Sequence, residues 1–115
     1  MQIIRIVNLR NYKQVEGEIL VKVDRSSVLG NPFYMKDESQ RNKVCDKYQE
    51  YFDNKIRESL PDYSQPYKYT QHNEFMLRII SIANLAKRHN VALGCWCYPK
   101  RCHAETILKY IEGVL

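Results

Sequence analysis

The sequence has no apolar run long enough to cross a bilayer. The longest, Phe75 to Ala86, is interrupted by Arg78 and falls short of the roughly 20 residues a spanning helix needs. The opening MQIIRIVNLR lacks the basic start, apolar stretch and small-residue cleavage site of an export signal. That predicts a cytoplasmic protein whose four cysteines stay reduced, with no disulfide framework. No block of like charge marks a binding tail. Internal repeats and low-complexity segments are lacking too, which excludes solenoids and linkers.

What remains is an ordinary globular composition. The 115 residues are expected to form a single domain over 1–115, large enough to bury one core. Apolar residues make up 44% and charged residues 27%. Eighteen Lys plus Arg against thirteen Asp plus Glu leave a net charge of +5. This balance permits nucleic acid or another polyanion as a partner without requiring one. No membrane partner is expected.

The hydrophobic pattern predicts strands over Ile3–Leu9 and Glu18–Arg25, and a third over VALGCWC. Helices are expected from near Ser39, from about Gln71 to His89, and from Cys102 onward. Cys45 falls within the apolar stripe of the first helix and reads as a buried structural residue. Pro61–Thr70, with three tyrosines, reads either as a base-stacking lid or as a plain connection covering the core edge. The order strand, strand, helix, helix, strand, helix predicts an α/β fold: a small three-layer, Rossmann-like domain with a short, mostly parallel sheet and about three helices. If the first and last strands are parallel neighbours, their carboxyl ends share the rim where such sheets bind ligands. Asn8 and Arg10 would then face Cys97.

LGCWCYPKRCHAETIL, residues 93–108, concentrates the chemistry. Strand alternation predicts Cys95 and Cys97 on one face and Trp96 on the other. Three readings stay open. Cys95, Cys97, Cys102 and His103 suit a structural zinc by ligand type, although adjacent Cys102 and His103 diverge. Alternatively, Cys102 at the start of a helix is an activated nucleophile with His103 as base, because the helix end favours negative charge and equally seats a phosphate. In the third reading the corner is simply well-packed core.

In SSVLGNPF, Pro32 directs Asn31 into extended backbone and Gly30 permits a positive φ. Phe33 is expected to pin the loop, leaving Asn31 to orient a ligand or merely to shape the turn.

Read together, VNLR at Val7–Arg10, DRSSVLGNPF at Asp24–Phe33, RNKVCDKYQEYF with Arg41 and Tyr48, and the cysteine corner resemble a family known only as a domain of unknown function (number 4326). Its members are often encoded by phages and bacteria, which would place this chain in a host cytoplasm. The likeness covers most of the chain and matches at Gly94, Cys95, Trp96, Cys97, Pro99, Cys102 and His103. Ala104 and Asp24 stand where the family usually has glycine. The resemblance implies an α/β fold and an important cysteine corner, and carries no reaction with it.

The combined expectation is a binder of a small anionic, phosphate-bearing or nucleotide-type ligand at the strand rim, with or without catalysis. Arg25 and Arg41 would pair with the anion, and Asn8, Arg10, Asn31 and Cys97 would complete the site. The alternative is a non-enzymatic module, zinc-stabilised or basic, that binds nucleic acid or a host protein.

Overall fold

The computed structural model describes residues 3–58 and 74–114. Strands β1 (Ile4–Asn8), β2 (Glu18–Lys22) and β3 (Asn90–Cys95) form one sheet in the order β1-β3-β2, every pair parallel. Helices α1 (Arg41–Glu58), α2 (Glu74–Ala86) and α3 (Ala104–Val114) complete the domain, and a 3-10 turn over Glu38–Gln40 leads into α1. This is the expected α/β, Rossmann-like arrangement. The Pro61–Thr70 stretch lies outside the described residues.

β3 is the central strand and is buried along Val91–Cys95, as a strand covered on both faces must be. Register puts Ile4 and Ile19 beside Val91, and Ile6 and Val21 beside Leu93. Val91, Leu93 and Cys95 point into the main core, where they meet Tyr48 and Phe52 of α1, Ile79 and Ile82 of α2, and Ile107 and Ile111 of α3. Each fully buried Ile or Phe contributes about 1.5–3 kcal/mol through removal from water.

The pleat puts Asn90, Ala92 and Gly94 of β3 on the opposite face, and longer side chains close over the last two. A Cβ on Gly94 would lie 2.4 Å from Leu9 and 3.2 Å from Leu20. Arg5 of β1 donates to both carboxylate oxygens of Glu18 on β2 at 2.8 Å, and the Tyr12 hydroxyl donates to the same carboxylate at 2.9 Å. The buried Glu18 carboxyl is held below its usual range by Arg5. This bridge ties the two edge strands across β3.

Among the described residues no helix is long and apolar enough to cross a membrane.

Candidate functional site at the carboxyl rim

All three strands run in the same direction, so their carboxyl ends open on one rim. The β2–α1 loop and the β3–α3 loop meet there around a cavity of about 360 Å³. That volume lies in the range of small-ligand sites, roughly 300–1,000 Å³.

The first loop is held by a succession of turns. Ser27 N–H donates to the Asp24 carbonyl at 2.9 Å, and Gly30 N–H to the Ser27 carbonyl at 3.0 Å. The buried Tyr48 hydroxyl donates to the Leu29 carbonyl at 2.7 Å, fastening the loop to α1. Gly30 does not adopt the positive φ its sequence context suggested; among the described residues only Gly17 does, at 79°. Gly30 is required by close approach instead, because a Cβ would lie 2.5 Å from the Asp24 carbonyl oxygen and 2.6 Å from Arg25 Cα. Phe33 sits edge-on to Tyr51 at 6.0 Å and lines the cavity, the pinning role its position suggested.

Asn31 spends its side-chain carbonyl on the Phe33 N–H at 2.9 Å and keeps its amide NH₂ for the cavity it lines. Arg25 also lines the cavity. It donates to the Phe33 carbonyl at 3.2 Å and lies over the Tyr34 ring at 4.8 Å. No carboxylate pairs with it among the described residues.

Arg41 is differently placed. Its Nε and Nη2 each donate to Glu38 at 2.7 Å, and its Nη1 donates to the Arg101 carbonyl at 2.9 Å. Glu38, also reached by Lys100 at 3.1 Å, is drawn down to about 2, first by Arg41 and then by Lys100. Glu38 is thus a functional neighbour that the sequence reading missed. Its spacing of three residues from Arg41 at a helix start was the available signal. Asp24 is another: one oxygen accepts from Ser26, and the other accepts from the Trp96 indole N–H at 2.9 Å. That bond fixes the tryptophan at the cavity while it stays 57% exposed.

The cysteines separate by environment. β3 ends at Cys95, so strand alternation does not extend to Cys97. Cys95 points into the core at 1% exposure, and Cys97 turns to line the cavity. Cys102 is buried, with its sulfur 3.2 Å from that of Cys95, where either can donate. The backbone N–H groups of Cys97 and Tyr98 also point at the Cys95 sulfur.

Cys97 is drawn down to about 5, first by the Cys102 thiol and then, against its own burial, by the Arg41 guanidinium. Cys95 is drawn down to about 6, again chiefly by Cys102. Cys102 is pushed up by Cys95, by Cys97 and by its own burial. One S–H serves one acceptor at a time, so a single thiolate is shared. Cys97 holds it best, because it has the cation beside it and pays less desolvation than the core residue Cys95. Cys45 is buried, as its place in the α1 stripe suggested, and burial pushes its thiol up.

His103 packs edge-on against Tyr48 at 5.0 Å and hydrogen-bonds through Nε2 to the Val23 carbonyl. A carbonyl only accepts, so Nε2 carries the proton and Nδ1 keeps the lone pair. Burial lowers its pKa and keeps the ring neutral.

The cavity therefore gathers six of the sequence-nominated residues: Arg25, Asn31, Arg41, Cys97, Cys102 and His103. Asn8 and Arg10 stand apart. The Asn8 amide donates to the Tyr98 carbonyl at 2.8 Å and its oxygen accepts from the Arg10 N–H at 2.9 Å, so Asn8 shapes the β3–α3 loop from behind. Arg10 is exposed.

The two buried sulfurs of the corner are not spaced as zinc ligands. The Cys95–Cys102 separation of 3.2 Å is shorter than the roughly 3.8 Å between two thiolates on one tetrahedral zinc with bonds of about 2.3 Å. Among the described residues no group of three or more His, Cys, Asp or Glu is disposed to hold a metal ion.

No curated protein and no solved structure matches the chain. The model of one family does match, over residues 7–113, which takes in the described elements except the first three residues of β1 and the last of α3, together with both loops of the rim. The chain belongs to that family, described as a domain of unknown function (DUF4326).

Proposed function

We propose that the rim cavity binds a small phosphate- or carboxylate-bearing molecule of the nucleotide type. The observation that carries this reading is Arg25, a cavity-lining guanidinium with no carboxylate partner among the described residues. A planar guanidinium in that condition takes phosphate or carboxylate bidentately. Arg41, already clamped by Glu38, contributes field rather than first contact. The Asn31 amide offers a further donor. Phe33 and Trp96 offer flat walls on which a ring stacks, at about 1–3 kcal/mol per base.

Trp96 is the only tryptophan, so its emission reports the cavity directly. Titration with adenosine monophosphate, with inorganic phosphate as control, is expected to change that emission saturably. Arg25→Ala should weaken binding roughly 10–100-fold, the worth of one hydrogen bond to a charged group. Unchanged emission together with an unchanged melting temperature at millimolar nucleotide rejects the reading.

A further inference from the structure

The sulfurs of Cys97, Cys102 and Cys95, at and beneath the cavity, are not explained by anion binding. Cys97 and Cys102 both line the cavity, and Cys95 lies 3.2 Å from Cys102 in the core. A thiol reacts with an outside partner when it is partly exposed in an electropositive setting, and buried thiols do not. Cys97 alone of the three meets that condition, half-buried in a cavity that Arg41 also lines. The other two form a contacting pair of sulfurs, of which Cys102 shares the cavity wall with Cys97. This arrangement supplies an attacking sulfur, a second sulfur to complete an exchange, and a third to hold the second one's charge.

We propose that Cys97 and Cys102 carry out thiol–disulfide exchange with a small carboxylate-bearing disulfide that enters the cavity, Cys97 as the attacking thiol and Cys102 as the resolving one. The substrate class rests on the anion-binding reading above, since Arg25 would receive the carboxylate; the exchange itself does not.

The Cys97 thiolate attacks one sulfur of the incoming disulfide. The substrate S–S bond breaks, a Cys97 mixed disulfide forms, and the departing thiolate takes the proton of Cys102. The Cys102 thiolate, now receiving the S–H of Cys95, attacks Cys97 Sγ and expels the second thiolate. The protein dithiol has lost two electrons to form a Cys97–Cys102 disulfide, and the substrate disulfide has been reduced to one thiol and one thiolate, the latter taking from water the proton that Cys97 released on ionising. Cys95 is a positioning residue in this scheme, because it acts only through Cys102.

The test uses fully reduced, full-length protein and oxidised glutathione, followed by intact mass and peptide mapping. The wild-type chain is expected to lose two hydrogens, with Cys97 linked to Cys102 and no lasting adduct. Cys102→Ser should stop at a stable glutathione adduct on Cys97, and Cys102→Ala serves if the serine variant fails to fold. Cys97→Ser should yield neither product.

An adduct on Cys45, no adduct in either folded Cys102 variant, or one equivalent of zinc shielding all three thiols until chelation would overturn the relay. Dithiodipyridine, a neutral disulfide, separates the two readings. Arg25→Ala is expected to slow the glutathione reaction about tenfold more than it slows the neutral one, as loss of one charge-assisted hydrogen bond implies. An equal proportional change for both reagents in that variant overturns the carboxylate subsite and leaves the exchange in place.

Discussion

The sharpest quantitative consequence of the rim geometry is the pH profile of Cys97. Drawn down to about 5, this thiol is roughly nine-tenths ionised near pH 6, whereas an ordinary thiol with a pKa of about 8.5 is roughly 0.3% ionised. The gain in thiolate is about 300-fold. Nucleophilicity falls with basicity, with a Brønsted slope of about 0.4–0.5, which returns roughly fortyfold of that gain. The net expectation is a rate on the order of tenfold above a reference cysteine peptide near pH 6, parity near about pH 7, and a slower rate above that. The assay is stopped-flow release of thiopyridone from dithiodipyridine between about pH 5 and 9, with the labelled cysteine confirmed by peptide mapping. Arg41→Gln removes the cation beside the sulfur, so its profile should move toward that of the reference peptide. A wild-type rate that climbs about tenfold per pH unit and levels only above about 8.5 would refute the argument. An Arg41→Gln profile identical to wild type would refute the role given to Arg41.

Two stability measurements probe the scaffold that sets this geometry. Tyr48→Phe strands the Leu29 carbonyl beneath the rim loop and should cost about 1–3 kcal/mol by urea denaturation; a smaller loss would mean that water or another donor replaces the hydroxyl. Gly30→Ala forces a Cβ against the backbone of Asp24 and Arg25 and should cost about 1–3 kcal/mol while also abolishing the nucleotide-dependent Trp96 signal. Wild-type stability in that variant would show that the loop accommodates the methyl group.

The sequence by itself determined the order of elements, because period-two apolar runs and helical stripes depend only on which residues must leave water. A central β3 was legible in the same way: VALG has no polar face, as a strand covered on both sides requires. Once β1 and β3 were parallel neighbours, the rim as the place of chemistry followed from chain direction, and Arg25, Asn31, Arg41 and the cysteine corner were drawn to it by their positions in loops or helix starts. Their individual roles were decided by tertiary structure. β3 stops pairing after Cys95, so Cys97 leaves the alternation that would have buried it beside Cys95. Cys102, nominated as nucleophile from its place at a helix start, is buried as a donor to its neighbours. Asn8 reaches the rim loop from behind, committed to backbone partners. Arg41 is occupied by Glu38 while Arg25 is left open. A one-dimensional pattern records which side chains prefer water. It does not record which partner reaches a guanidinium or a sulfur first, because that competition is settled by distances of a few ångströms between residues far apart in the chain.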